Sequence, residues 1–165
     1  RIVKESQDIG NSLDQLILES FKEGFDEDLY RHEQGFYLFK QLSISLRRIK
    51  PIALQLKIWS EKYKIMGYLD CLGYYNGELS LIDFKNSRYI KKPDHYHNYL
   101  LQCTMYCIIL KVLLNIEVKQ IVLLMGIRDS ASPQIVKERT RDYVKEAYNR
   151  IVEYNAINNK CNSDK

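Results

Sequence analysis

The order of periodicities along these 165 residues predicts an α/β fold with a mixed sheet flanked by helices. Three observations carry this. The N-terminal third is helical in pattern and the segments after it alternate. Asn76-Gly77 stands between two of the alternating runs. Beyond them a long, largely apolar helical stretch leads into the unbroken apolar run Gln-Ile-Val-Leu-Leu-Met-Gly.

Taken in order, Leu13, Leu16, Ile17, Ser20 and Phe21 recur at helical spacing, so residues 6–22 form an amphipathic helix ended near Gly24. A second helix is expected over 27–49, stopped by Pro51. Residues 52–59, 65–75 and 78–85 read as strands. Asn-Gly is the strongest short hairpin signal because both turn positions take positive φ. After Pro93, with Asp94 as a helix cap, residues 95–115 form a helix and 120–126 a buried strand. Val136, Thr140, Tyr143, Val144, Ala147, Ile151 and Tyr154 mark a closing amphipathic helix over 133–158. Residues 1–165 thus form one domain: helices in 1–49, the sheet and its helix in 50–128, and the closing helix.

A chain of this length can bury a real core. No apolar run reaches the roughly 18 residues of a membrane span, so no membrane partner is expected. There is no signal-peptide pattern and no starting Met, so the chain is expected to be trimmed or excised from a longer protein. The four cysteines form neither a CxxC pair nor a disulfide framework, which predicts a reducing, intracellular compartment. Cys103 and Cys107, four apart, suit core packing, with metal binding as the alternative. Net charge is +4 but uneven: residues 1–30 carry three basic and eight acidic side chains, and the remainder 22 and 13. A basic body suits a polyanion such as nucleic acid.

Register brings chemistry together. If Asn76-Gly77 is a two-residue turn, Tyr75 faces Glu78 and Asp70 falls opposite Asp83, with Cβ atoms roughly 4.5–5.5 Å apart. Lys85 shares the face of Asp83. Opposed carboxylates repel unless a cation sits between them, and Mg²⁺ takes carboxylate oxygens while keeping several waters. The alternative is two carboxylates tolerated at a sheet rim with Lys85 as counter-ion. The apolar setting Leu81-Ile82-Asp83-Phe84-Lys85 favours the metal. A four-residue loop at 61–64 would set Gln55 opposite Asp70, and register leaves open whether Gln55 is a site residue or strand surface. Such groups suit metal-assisted phosphodiester hydrolysis, with Lys85 stabilising charge at the phosphate.

Gly67-Tyr68-Leu69-Asp70, followed by Asp83-Phe84-Lys85 and by Gln102-Cys103-Thr104-Met105-Tyr106, resembles the G-x-x-D…D-x-K…Q-x-x-x-Y pattern of PD-(D/E)XK nucleases of the RecB-like branch. The wording around Asn76–Ser87 is similar to the mitochondrial genome maintenance exonucleases and their phage and bacterial relatives. The resemblance covers residues 50–110. It implies a restriction-endonuclease-like core and a Mg²⁺- or Mn²⁺-dependent exonuclease acting on DNA, with single strands preferred, in replication, repair or recombination. Metal would be held by Asp70, Asp83 and the Phe84 carbonyl. Lys85 would be the catalytic lysine. Gln102 and Tyr106 would steady it or contact DNA, or else form a polar pair on a helix flank.

Two positions depart from the pattern. Gln55 stands where the family has Glu. Asp14, in Gly10-Asn11-Ser12-Leu13-Asp14, stands where it has His and can still supply a metal oxygen. The cysteines do not match the iron–sulfur arrangement of some relatives, so no cluster is expected. Ser87 and Arg88 are expected to hold phosphate, and His95 and His97 to meet solvent or phosphate. The 13 tyrosines suit stacking on a single strand. An endonuclease of the same fold and a non-cleaving DNA-binding derivative are the other readings.

Overall fold

The computed structural model describes residues 2–163, with side chains for 3–156. Helix α1 (Ile2–Ser20) is followed by a 3₁₀ turn (Glu27–Tyr30), α2 (Phe36–Leu46) and three antiparallel strands, β1 (Ile49–Ser60), β2 (Ile65–Tyr75) and β3 (Glu78–Ser87). Helix α3 (Pro93–Leu114) crosses to β4 (Gln120–Ile127), parallel to β3. The chain then returns as β5 (Gln134–Arg139), a 3₁₀ turn (Thr140–Asp142) and α4 (Val144–Ser163). The sheet runs β1-β2-β3-β4-β5, antiparallel except at β3–β4.

Both faces are covered. Leu13, Leu16 and Ile17 of α1 and Leu38, Phe39 and Leu42 of α2 pack with Cys71, Ile82, Phe84, Val122 and Leu124. On the opposite face, Leu100, Cys103, Tyr106, Cys107 and Leu110 of α3 and Ile151 of α4 pack with Leu69, Leu81, Ile121, Leu123 and Met125. Strand β4 is apolar and buried from Ile121 to Ile127 because, next to a parallel partner and between two helical layers, it has no solvent side.

The Asn76-Gly77 turn has φ of +51° and +84°, and Tyr75 faces Glu78 as expected. The β1–β2 hairpin also has the expected register, with Ser60 opposite Ile65. Five expectations change. The second helix is a 3₁₀ turn plus the shorter α2. Pro51 does not stop it but lies in β1, an edge strand where a missing N–H costs no ladder bond, beside a register shift. The cap of α3 is Lys92, with Pro93 in the first turn, where its fixed φ fits the helix; Asp94 supplies first-turn negative charge instead. The closing helix begins only at Val144. Residues 134–139 form an edge strand, β5, too short for its alternation to outweigh the accidental helical spacing of Val136 and Thr140. Finally, α3 is long and apolar enough by composition to cross a membrane, although no sequence run suggested it; here it is the core helix between the sheet and α4.

Candidate active site

The site lies where β2 and β3 part. Their ladder runs from Tyr75/Glu78 to Cys71/Ile82 and ends there, one step before Asp70 and Asp83. Asp70 Oδ2 then accepts the Phe84 backbone N–H at 2.9 Å, so a side chain replaces the next ladder bond. Because the N–H and C=O of one strand residue point to the same neighbour, the Phe84 carbonyl also faces the gap.

The parting has a backbone cause. Residues two apart in a strand share a face, yet Leu69 packs under α3 and Cys71 under α1 and α2. The same reversal separates Leu56 from Leu54 on β1, and between them Gln55 has φ of +48°. The left-handed conformation costs a side-chain-bearing residue about 1–2 kcal/mol. Gln55 and Asp70 therefore mark one level at which both strands change faces. The flanking pairs Leu54–Cys71 and Leu56–Leu69 keep the expected register and set Gln55 level with Asp70, but Gln55 is exposed at this break and forms no regular ladder pair there, just as Asp70 forms none with Asp83.

Asp83 and Lys85 follow Leu81 on the α3 face of β3. Asp83 is only 6% exposed, and Lys85 Nζ lies 2.7 Å from its Oδ2. That contact is ionic: the oxygen has no well-directed hydrogen bond. Burial pushes the Asp83 carboxyl up to about 7, with Asp70 adding to the rise and Lys85 opposing it. At Lys85 burial pulls the other way, but Asp83 and Asp70 outweigh it and hold the ammonium above its ordinary value. The close contact favours the charged pair, with desolvation as its cost.

Asp14, reaching in from α1, is pushed up to about 6, first by burial and then by Asp70, with Lys85 opposing. Water still reaches Asp14, so Asp83 carries the greater electrostatic strain.

On α3, Gln102 Nε2 donates to the Tyr106 hydroxyl at 3.0 Å. Tyr106 packs over Gly67 so closely that a Cβ there would lie 2.5 Å from the hydroxyl oxygen. That close approach explains the glycine three residues before Asp70. Burial raises the Tyr106 pKa, and Gln102 opposes it. Tyr99 presents its ring 5.3 Å from Lys85 Nζ and 5.8 Å from Lys91 Nζ, a cation–π cradle that spacing alone did not reveal.

Two expected phosphate contacts are otherwise engaged: Ser87 Oγ donates to the Tyr89 carbonyl, and Arg88 Nε to Asp129. His97 meets Glu146 of α4 at 2.9 Å, while His95 lies in the first turn of α3. Cys103 and Cys107 are buried in the core.

A divalent cation fits on donor chemistry. Two carboxylates, a gap-facing carbonyl and a buried carboxylate oxygen without a hydrogen bond meet a net shortage of positive charge. Among the described residues no three His, Cys, Asp or Glu side chains close into a metal cage. This suits Mg²⁺, which uses one or two carboxylates and water. Asn86 and Arg128 were not read from the sequence as site residues. Asn86 directly follows the D-x-K run, and Arg128 comes beside it only through the parallel β3–β4 pairing. A scan against protein-family models matches none, and a search of curated proteins returns no match.

Proposed function

We propose that this chain is a Mg²⁺- or Mn²⁺-dependent deoxyribonuclease, an exonuclease preferring single-stranded DNA ends in replication, repair or recombination. The observation that carries it is the convergence of Asp70, Asp83 and Lys85 at the gap between β2 and β3. Asp70, Asp83 and the Phe84 carbonyl would hold the metal, with Asp14 the nearest further carboxylate. Such an ion, when bound, polarises a phosphoryl oxygen and lowers the pKa of a coordinated water.

The residues do the rest. Lys85, released from its pairing with Asp83, stabilises negative charge as it develops on the scissile phosphate. Tyr99 keeps that lysine in place, and the Gln102–Tyr106 pair steadies it or contacts DNA. An endonuclease of the same fold is the second reading, and one observation favours it: among the described residues α2 packs on β4, and of the two N-terminal helices α1 is the one that lines the open groove beside the site, which leaves room for a strand to enter from the side.

The test is hydrolysis of end-labelled DNA with Mg²⁺, Mn²⁺ or a chelator. Asp83→Asn is expected to abolish cleavage and weaken Mn²⁺ binding by calorimetry while the protein stays folded; unchanged Mn²⁺ binding rejects the metal assignment. Lys85→Ala is expected to bind DNA nearly normally and cut about a hundredfold more slowly, the loss of one oriented electrostatic group. Full activity in Lys85→Ala rejects the mechanism.

A further inference from the structure

A groove of about 550 Å³ opens between α1 and the ends of β3 and β4, and it reaches Lys85. Its α1 wall carries Ser6, Gln7, Asn11 and Asp14, its opposite wall Asn86 and Arg128. The α1 residues recur at helical spacing, so beside the apolar stripe of Leu13, Leu16 and Ile17 in the core the helix lines the open groove with a polar stripe. Gln7, Asn11 and Asp14 in that stripe are exposed to solvent, and Ser6 is half-buried.

The wall opposite is the one with unmet needs. Arg128 Nε and Asn86 Oδ1 are buried and have no hydrogen-bond partner, and the Arg128 guanidinium is held only by a long 3.5 Å contact from Nη2 to Ser6 Oγ. Among the described residues Arg128 forms no ion pair, whereas its neighbour Asp129 is taken by Arg88. The Asn86 amide lies where a side chain on Gly10 would stand, its Nδ2 2.7 Å from that Cβ position, so the glycine lets α1 close down on it. The two needs differ: the Asn86 oxygen is an acceptor and lacks a donor, whereas the Arg128 guanidinium, one wall away from Lys85, is a donor and lacks an anion.

Resting on the nuclease reading, we propose that this groove seats one backbone phosphate of the DNA strand on Arg128, with Asn86 and Ser6 beside it, and so aligns the strand across Lys85. Arg128 is a positioning residue: it holds a phosphate that does not react. Its loss therefore acts on binding and KM, whereas the loss of Lys85 acts on kcat.

The experiment measures binding of a labelled single-stranded oligonucleotide in Ca²⁺ over a series of salt concentrations, and cleavage in Mg²⁺. Arg128→Ala is expected to weaken binding about ten- to a hundredfold, as losing a charge-assisted hydrogen bond does, and to lower the salt slope by about 0.7. Ser6→Glu, which sets a carboxylate beside the guanidinium at a half-buried position on the groove wall, is expected to do the same without removing Arg128. Arg141→Ala, on the exposed turn before α4, is the control and is expected to bind as wild type. Wild-type cleavage with unchanged binding in both Arg128→Ala and Ser6→Glu overturns the groove and leaves the nuclease reading standing. A wild type that neither binds nor cuts overturns both.

Discussion

At the scale of single residues, Asp83 concentrates the electrostatic tension of the molecule. Its carboxyl is raised from 3.8 to about 7, chiefly by burial. Below pH 3.8 both folded and unfolded chains hold the proton. Between 3.8 and about 7 the unfolded chain releases it while the folded chain keeps it, so stability falls as pH rises through that window. Asp14, raised to about 6, adds in the same direction. Metal-free protein should therefore melt at lower temperature at pH 7 than at pH 5, and Asp83→Asn should flatten that dependence. Mn²⁺ should raise the melting temperature more at pH 7.5 than at pH 5, because it binds the ionised form. Melting curves against pH, with and without Mn²⁺, check both; a metal-free protein that gains stability from pH 5 to 7 contradicts the assignment of Asp83 as the strained group.

At the scale of elements, the decisive feature is the change of face shared by β1 and β2. Alternation is legible only while each strand keeps its period, and the residues around Gln55 and Asp70 look regular in the sequence because apolar residues occupy both sides of the break. The hairpin register was readable, since turn length determines it; the backbone switch was not, since φ of +48° at a glutamine has no local signature. The switch is testable. Gln55→Val places a β-branched residue where positive φ is a severe outlier and should destabilise by about 1–2 kcal/mol. Gln55→Gly, free to adopt that φ, should be close to neutral once its own entropy cost is counted. Denaturant midpoints measure the difference. Equal midpoints for the two variants mean that Gln55 is an ordinary strand residue.

At the scale of the whole molecule, the proposed function makes charge and access the features that would decide the substrate. The basic excess outside residues 1–30 should draw a polyanion, so DNA binding should weaken steeply with salt. The acidic N-terminal segment folds into α1 and the turn after it; of its carboxylates Asp14 lines the groove, while Glu19, Glu23, Asp26, Glu27 and Asp28 lie at or beyond the far end of α1. If strands enter by their ends, linear single strands should be degraded and closed circles spared. Rapid cutting of circles by clean wild-type protein transfers the assignment to an endonuclease, which the single bordering helix allows.

The sequence by itself determined the α/β class, the two hairpin registers, the buried central strand, and the candidate set Asp70, Asp83 and Lys85. Each of these rests on local periodicity or turn length, which neighbouring residues specify. Tertiary structure alone decided that β2 and β3 part at Asp70, that Asp14 reaches the same space from the other helical layer, and that Arg128 stands beside Asn86. It also decided that Ser87 and Arg88, expected to hold phosphate, are occupied by Tyr89 and Asp129. These are contacts between segments tens of residues apart. Their free energy comes from packing two helical layers on one sheet, and no short window of sequence contains it.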